Sequence, residues 1–253
     1  MKALVTGASS GMGREFALYL AELGYDLIIC ARRTDVLNQL KDEIKNVSVR
    51  VITIDLSREH DAFDLYEHLT ADGEQIDVLI NNAGFGAYGK FSDVPLEREI
   101  ELIHTNVCAV HVLTKLYLAD MKKRGSGLIL NVGSIAGFAP GPTFSSYYAS
   151  KNYVVRLTEA IHEELRRENS PVKISVLCPG PVNTGFFDTA NVRFAVKGLN
   201  AREVARYAFD KAQTGKMVII PGFMMKATKF FMHFVSEKAL TRVSYFVQSK
   251  KEG

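Results

Sequence analysis

Seven short apolar runs alternate along this chain with segments of helical periodicity, and this alternation limits the possible folds more than any other feature. The runs are ALVT (3–6), DLIIC (26–30), SVRVITI (48–54), DVLIN (77–81), GLILNV (127–132), KISVLC (173–178) and MVII (217–220). Apolar residues at helical spacing follow the first three runs: Met12, Phe16, Tyr19, Leu20 and Leu23; Val36, Leu37, Leu40 and Ile44; Phe63, Tyr66 and Leu69. Nearly continuous apolar runs are typical of parallel strands that helices cover on both faces. The pattern predicts an α/β fold, a doubly wound sheet of seven parallel strands.

Length and charge set the domain organisation and exclude one class of partner. With 253 residues and a net charge of only +3, the chain has room for one large core and no overall basic character, so we expect no nucleic-acid partner. The alternation ends near residue 222, which predicts a catalytic domain at 1–222 and a helical extension at 223–253. From Lys216 onward there are seven lysines or arginines against two glutamates.

The cysteines and histidines carry no sign of a disulfide or a metal. Cys30, Cys108 and Cys178 are odd in number and lie in apolar surroundings, which indicates buried free thiols in a reducing compartment. The six histidines show no ligand spacing, so we expect no metal site. We also find no charged leader and no uncharged apolar run of membrane-spanning length. These observations predict a cytoplasmic protein, soluble or peripheral to a membrane.

The stretch LVTGASSGMGRE (4–15) contains three glycines at the predicted turn between the first strand and the first helix. Such a turn lets backbone N–H groups approach a phosphate closely at a helix N-terminus. An ordinary glycine-rich turn is the alternative, since the spacing G-x-x-x-G-x-G is by itself a weak signal. The residues predicted to cradle a phosphate are Gly7, Ser9, Ser10, Gly11, Met12 and Gly13.

The end of the second strand indicates which dinucleotide would bind. An acidic residue at this point commonly holds the ribose 2′-hydroxyl of NAD, but here Ala31 takes the position and Arg32 and Arg33 follow. A guanidinium grips phosphate with two hydrogen bonds, so the sequence predicts NADP, with NADPH preferred over NADH. Arg14 is a candidate helper. The alternative is that both arginines are solvated surface residues.

Four separated motifs together resemble the short-chain dehydrogenase/reductase family. They are T-G-x-x-x-G-x-G at 6–13, NNAG at 81–84, Ser134 at the end of LILNVGS, and YYASK at 147–151. The resemblance extends to about residue 222 and implies a Rossmann-type fold. It also implies hydride transfer between a nicotinamide and a carbonyl or alcohol.

The resemblance assigns catalytic roles to four residues. Tyr147 matches the general acid/base, Lys151 its partner one helical turn later, and Ser134 the hydroxyl that holds the substrate oxygen. Asn106 in HTNV matches the asparagine that completes the tetrad. Free tyrosine titrates near pH ~10, so an adjacent ammonium and an oxidised nicotinamide are expected to lower the phenol pKa. Tyr148 lacks a lysine at its fourth position and is expected to pack or to line the substrate pocket.

The resemblance also assigns a second set of cofactor residues. Asp55 resembles the residue that meets the adenine, the segment from Asn81 resembles the adenosine-side lining, and PGPVNT (179–184) resembles the nicotinamide-binding stretch. The cofactor residues implied in this way are Asp55, Leu56, Asn82, Ala83, Gly84, Tyr147, Lys151, Pro179, Gly180, Val182 and Thr184.

Aromatic residues near these motifs predict an apolar substrate pocket. The candidate walls are Phe85, Tyr88, Phe138, Phe144, Phe186 and Phe187, and residues 185–200 occupy the usual place of a substrate lid. The expected substrate is an apolar ketone, aldehyde or secondary alcohol. A 3-ketoacyl-type reductase and a non-catalytic NADP(H)-binding sensor or scaffold are the alternatives.

The extension after residue 222 combines apolar and basic residues. Its helical stripe and its aromatic cluster comprise Ala239, Leu240, Val243, Phe246 and Val247, and Phe223, Phe230, Phe231 and Phe234. Three interpretations remain open: a lid, a contact with the same or a partner subunit, and a peripheral contact with an anionic membrane. The family resemblance implies a homodimer or homotetramer.

Overall fold

A parallel sheet of seven strands lies at the centre of the protein, seen in a computed structural model that describes residues 1–185, 198–232 and 234–249. The strands are β1 (Lys2–Thr6), β2 (Asp26–Ala31), β3 (Val49–Thr53), β4 (Val78–Asn81), β5 (Leu128–Val132), β6 (Lys173–Leu177) and β7 (Val218–Ile219). Their order is β3-β2-β1-β4-β5-β6-β7, and every neighbouring pair is parallel. The predicted doubly wound sheet is confirmed, and each apolar run contains a strand.

Helices surround this sheet and connect successive strands. They are α1 (Gly11–Glu22), α2 (Thr34–Glu43), α3 (Asp61–Ala71), α4 (Leu96–Ile103), α5 (Ala109–Arg124), α6 (Ser145–Arg167), α7 (Ala201–Gln213), α8 (Phe223–Met232) and α9 (Glu237–Ser249). A π-helical turn, His104–Cys108, joins α4 to α5, and a 3₁₀ turn, Ile135–Phe138, follows β5. Each crossover between parallel strands therefore returns the chain to the same edge of the sheet.

Two apolar cores lie on opposite faces of the sheet. Along β1, Val5 belongs to the core that contains Phe16 of α1 and Phe209 of α7, whereas Leu4 belongs to the core under α3 and α5. This alternation follows the two-residue period of a strand. It explains why the strands read as continuous apolar runs.

The buried face of α3 differs from the predicted stripe. Phe63 is 45% exposed, and the helix instead buries Ala62, Leu65 and Leu69. Tyr66 lies at the margin, where its hydroxyl donates to Asp120 of α5 at 2.8 Å. Two overlapping sets of apolar residues share this helix, and packing against α5 buries only one of them, so Phe63 belongs to the apolar stripe but not to the core.

The expectation of three buried thiols was also wrong for one cysteine. Cys30 and Cys178 are buried at the ends of β2 and β6, but Cys108 is exposed. Cys108 ends the π-helical turn, whose buried residues are Thr105 and Asn106. The extra residue of a π-turn rotates the positions after it, so an apolar sequence context did not predict burial here.

The helical stretch Leu96–Arg124 is long and apolar enough to cross a membrane by length and composition alone. However, its Leu102, Leu113, Tyr117 and Met121 are buried inside the protein. Core helices of soluble proteins pass the same test, so this stretch is weak evidence for a membrane span.

The extension begins with α8 at Phe223, and three residues separate it from the end of β7. Three residues of α8 contact the sheet domain: Met225 packs on the core beneath Ile220, Lys226 Nζ lies 3.4 Å from the Tyr207 hydroxyl, and Lys229 Nζ lies 4.5 Å from the centre of the Phe138 ring. The α8 helix is therefore attached to the domain by one face.

Candidate active site

A cleft of about 570 Å³ opens at the carboxyl ends of the strands. Residues just beyond the ends of four strands line it: Gly7 after β1, Asn82 after β4, Gly133 after β5, and Pro179, two residues after β6. In open α/β sheets, ligands bind at this edge, where the crossovers diverge to opposite faces. The order of the strands places the divergence between β1 and β4.

The glycine-rich turn after β1 forms one wall of this cleft, and its glycines are required by backbone geometry. Gly7 and Gly11 have positive φ angles of 65° and 55°. A Cβ on Gly13 would overlap the carbonyl oxygen of Gly7 and the side-chain amide of Asn82. Ser10 precedes the first turn of α1, so the N-terminus of α1 opens toward the cleft. This geometry is a cradle for a phosphate.

Hydrogen bonds between Thr6 and the segment after β4 fix the position of that turn. The Thr6 hydroxyl accepts from the backbone N–H groups of Asn82 and Ala83, both at 3.0 Å. The side-chain amide of Asn82 donates to the carbonyl oxygens of Thr6 and Gly7 at 3.0 and 3.2 Å. The sequence analysis missed Thr6, although it directly precedes Gly7 in the motif.

Basic side chains lie at the end of the cleft beside β2. Arg32 and Arg33 are both exposed and both line it, and Arg33 donates to the Ser9 hydroxyl at 3.1 Å. Arg33 therefore bridges the end of β2 to the glycine turn. Arg14 does not line the cleft; it forms ion pairs with Glu15 and Glu43 instead. The ion pair with Glu43 directs Arg14 toward α2, so the helper role remains a prediction without support from the cleft.

At the other end of the cleft, the structure brings together Ser134, Tyr147 and Lys151. Lys151 Nζ lies 5.9 Å from the centre of the Tyr147 ring and donates to the carbonyl oxygen of Val132 at 2.8 Å. The Ser134 hydroxyl accepts from the backbone N–H of Ala136 at 3.1 Å, which orients it at the start of the 3₁₀ turn. Since Tyr147 and Lys151 are four residues apart on α6, both face the same side of the helix.

Burial controls the ionisation of this pair. It raises the pKa of Tyr147 above its ordinary value, and a hydrogen bond with Ser134 acts in the opposite direction. Burial also lowers the pKa of Lys151 to about 8. In the protein alone, Tyr147 is therefore a neutral phenol at neutral pH, which is the form that donates a proton.

Asn106 supports the pair from behind. It lies in the π-helical turn, is fully buried, and accepts from the Phe85 N–H at 3.1 Å while donating to the Phe85 carbonyl oxygen at 2.9 Å. A third bond, at 3.0 Å, joins it to the Ser150 hydroxyl. A Cβ on Gly84 would lie 2.9 Å from the side-chain oxygen of Asn106 and 3.3 Å from Nζ of Lys151, so only a glycine fits between these two side chains. Asn106 does not line the cleft itself.

The predicted cofactor residues lie together in the cleft with one exception. Gly13 lies behind the glycine turn rather than on the cleft surface, and its role is to permit the close packing described above. The others all line the cleft: Gly7, Ser9, Ser10, Gly11, Met12, Arg32, Arg33, Asp55, Leu56, Asn82, Ala83, Gly84, Tyr147, Lys151, Pro179, Gly180, Val182 and Thr184. The Asp55 carboxylate is oriented by the Ser57 hydroxyl at 2.8 Å.

The predicted substrate walls divide into two groups. Phe85 and Phe144 line the cleft, and Phe144 stacks on Tyr147 with ring centres 4.7 Å apart. Phe138 and Tyr88 do not line it: Phe138 lies under Lys229 of α8, and Tyr88 faces α9. Phe186, Phe187 and most of the predicted lid at 185–200 lie outside the described residues.

A profile of the short chain dehydrogenase family matches residues 1–193. The chain belongs to this family. Among curated relatives, human 17-beta-hydroxysteroid dehydrogenase type 3 is 32% identical over 77% of this chain and 63% of its own length. Mouse very-long-chain 3-oxoacyl-CoA reductase is 36% identical over 65% of this chain and 54% of its own length. The chain therefore spans less than two thirds of the length of these two relatives.

Two solved short-chain dehydrogenases have the same fold. One from Sphingobium yanoikuyae in complex with NADPH is 28% identical, with a TM-score of 0.80 over 93% of this chain and 96% of its own. One from Burkholderia phymatum in complex with NAD is also 28% identical, with a TM-score of 0.82 over 92% of each chain. The family therefore contains similar chains that bind either nicotinamide dinucleotide.

Proposed function

We propose that this protein is an NADP(H)-dependent oxidoreductase that transfers hydride between the nicotinamide and an apolar ketone, aldehyde or secondary alcohol. The observation that carries the proposal is the arrangement of one cleft. Ser134, Tyr147 and Lys151 lie at one end, and the glycine cradle with Arg32 and Arg33 lies at the other. A dinucleotide extended between these ends would have its phosphates at the N-terminus of α1 and its nicotinamide at Tyr147.

The side chains then divide the work of carbonyl reduction. The neutral phenol of Tyr147 donates a proton to the carbonyl oxygen, a general-acid step. Ser134 hydrogen-bonds the same oxygen as negative charge develops on it. Lys151, with a pKa of about 8, is mostly protonated at neutral pH and stabilises the resulting phenolate. Bound NADPH supplies the hydride.

Tyr147→Phe tests the reaction directly. The substitution keeps the ring that stacks on Phe144 and removes only the acidic hydroxyl, so kcat for ketone reduction should fall by about 10²- to 10⁴-fold. NADPH consumption with a panel of ketones is the measurement. Tyr245→Phe removes a hydroxyl from an exposed position on α9 and is the matched control. Full activity in Tyr147→Phe would contradict the assignment of Tyr147 as the general acid. A wild type that binds NADPH but reduces no ketone would favour the non-catalytic sensor instead.

Arg32→Asp tests the cofactor preference. A carboxylate at this position would repel the 2′-phosphate of NADPH and accept a hydrogen bond from the 2′-hydroxyl of NADH. We expect KM for NADPH to rise at least tenfold while KM for NADH changes little or falls. Arg167→Asp, at an exposed position near the end of α6, controls for a general change of charge. A wild type that prefers NADH would contradict the proposal.

The walls of the cleft support an apolar and bulky substrate. Phe85, Phe144 and Tyr148 lie beside Tyr147, and the two curated relatives are named for a steroid and for a very long acyl chain. The basic extension keeps a 3-ketoacyl thioester as the second candidate, because it would attract an anionic carrier. Comparing kcat/KM for steroid ketones and for 3-oxoacyl thioesters separates the two candidates.

We further propose that α8 rests on an anionic membrane surface. Its outward side chains Phe223, Met224, Phe230 and Phe231 are 60–86% exposed, and Phe234 after it is 73% exposed. Monomeric soluble proteins rarely expose so large an apolar patch. The lysines of α8 itself contact the sheet domain, but the extension as a whole carries an excess of lysine and arginine, which favours an anionic lipid surface.

Vesicle sedimentation tests the membrane contact. The wild type should pellet with phosphatidylserine-containing vesicles more than with neutral ones, and the double variant Phe230→Ser, Phe231→Ser should remain in the supernatant. Equal sedimentation of both proteins would contradict the proposal. If the patch instead joins two copies of the chain, the double variant changes the mass in solution and vesicles have no effect.

A further inference from the structure

One polar residue of the extension is buried against the catalytic domain. Gln248, near the end of α9, is 1% exposed, whereas Tyr245 and Phe246 on the same helix are 53% and 60% exposed. Its side-chain amide donates to the hydroxyl of Tyr148, and its backbone carbonyl oxygen accepts from the hydroxyl of Tyr88 at 3.3 Å. The last helix is therefore joined to the domain by two tyrosine hydroxyls.

Tyr148 is at the same time a wall of the catalytic cleft. It is half-buried, lines the cleft and lies next to Tyr147, with ring centres 6.2 Å apart. On one side its ring packs directly on Gly141, where a Cβ would overlap the ring atoms. On another side the ring of Phe144 meets it edge-on at 6.2 Å. Gly141 and Phe144 therefore restrain the Tyr148 ring by packing, and Gln248 of α9 restrains its hydroxyl by a hydrogen bond.

The hydrogen bond to Gln248 is the contact that holds the hydroxyl end of this ring. A buried phenol hydroxyl that loses its partner is an unsatisfied hydrogen-bonding group, and its desolvation penalty exceeds the net free energy that the hydrogen bond contributes. A Tyr148 without Gln248 would therefore turn its hydroxyl toward water. Because Tyr148 adjoins the proton donor, its movement changes the space beside the reacting carbonyl.

We propose that Gln248 is a positioning residue that sets substrate size by holding Tyr148 against the cleft. The inference rests on the proposed function, because it assumes that a carbonyl substrate binds beside Tyr147. The extension is then part of the substrate pocket through one side chain, although Gln248 itself does not line the cleft.

Kinetics with two ketones of different size test the proposal. Gln248→Leu keeps the approximate volume and removes the amide, which frees Tyr148 and enlarges the pocket. We expect the ratio of kcat/KM for a steroid ketone to that for cyclohexanone to rise at least fivefold, mainly through KM. KM for NADPH and kcat for cyclohexanone should stay within twofold, because Tyr147, Lys151 and Ser134 are unaffected.

A double-mutant cycle identifies the partner through which Gln248 acts. Tyr148→Phe removes the other half of the hydrogen bond, so it should shift the ratio in the same direction, and the double variant should add nothing further. Tyr245→Phe, on the exposed side of α9, should leave the ratio unchanged. Additive shifts, or equal changes for both ketones, would overturn the proposal.

Hydrogen exchange gives a readout that does not depend on catalysis. In Gln248→Leu, the backbone amides of residues 139–148 should exchange faster than in the wild type, while those of β1 and β4 stay protected. Unchanged exchange in 139–148 would overturn the inference even if no ketone were reduced. A wild type without ketone reductase activity, together with faster exchange in Gln248→Leu, would reject the proposed function and leave the contact between Gln248 and Tyr148 supported.

Discussion

At the scale of single residues, the pair formed by Tyr147 and Lys151 is a compromise between burial and charge. Lys151 is 4% exposed, and its ammonium makes a hydrogen bond to a backbone carbonyl oxygen inside the protein. Burial lowers its pKa from 10.5 to about 8, although the interaction with Cys178 acts in the opposite direction. The protein therefore gives up stability to hold a cation beside Tyr147, which is common where a pKa is adjusted for function.

This cost has a predictable dependence on pH. Between the folded pKa of about 8 and the unfolded value of 10.5, the unfolded chain binds the proton and the folded protein does not, so the free energy of unfolding rises with pH. In Lys151→Met this contribution is absent. We expect the stability of the wild type relative to the variant to increase by about 2 kcal/mol between pH 7 and 9.5. Urea denaturation at both pH values measures it, and parallel pH dependences in the two proteins would contradict it.

At the scale of elements, the turn between β1 and α1 shows why glycine spacing and fold are linked. Gly7 and Gly11 adopt positive φ angles that favour glycine, whereas Gly13 allows α1 to pack closely against the segment after β4. The turn is braced by Thr6 and Asn82 rather than by its own residues. The cradle is therefore a property of β1, α1 and β4 together.

Gly13→Ala tests this packing. The new methyl group would meet the carbonyl oxygen of Gly7, which belongs to the backbone and cannot move aside without shifting α1. We expect a loss of about 1–3 kcal/mol in the free energy of unfolding and at least a tenfold rise in KM for NADPH. Gly24→Ala is the control, because Gly24 has a φ of 82° and open space around it. It should lower stability by about 1 kcal/mol without changing KM for NADPH.

At the scale of the whole molecule, stability and surface contact belong to different parts of the chain. The two cores on either side of the sheet contain the large buried side chains, among them Phe16 and Phe209. Helix α8 has no buried residue, although Met225 is packed against the domain. The sheet domain should therefore keep its stability when the outward face of α8 is altered.

Truncating one buried and one exposed phenylalanine tests this difference in stability. Phe209→Ala removes a fully buried ring that Tyr19 and Tyr25 meet edge-on, so it should lower the free energy of unfolding by about 3–5 kcal/mol. Phe230→Ala removes a ring that is 60% exposed, and the change should stay within about 0.5 kcal/mol. Urea denaturation measures both. A loss above 1.5 kcal/mol for Phe230→Ala would indicate that α8 is part of the folded core.

The local signals in the sequence were sufficient for the strands and for the elements of the site. Period and composition predicted all seven strands, since each strand needs only its own apolar residues to be recognised. The glycine turn, Tyr147 and Lys151 were singled out because four short motifs agree in type, order and spacing with one family, whereas the spacing of each motif alone is a weak signal. The prediction of burial failed at Cys108, where the π-helical turn decides which residues face the core.

By itself, then, the sequence determined the seven-stranded sheet and the position of the glycine turn, because each depends on residues close together in the chain. The tyrosine–lysine pair was named by resemblance to a family. Only the tertiary structure decided that Thr6 braces Asn82, that Arg33 reaches Ser9, and that Gln248 reaches Tyr148 from a hundred residues away. Such contacts join residues that are far apart in the sequence, and no helical or strand periodicity relates them. They form only after the sheet and its helices have packed, since it is packing that brings those side chains within hydrogen-bonding distance.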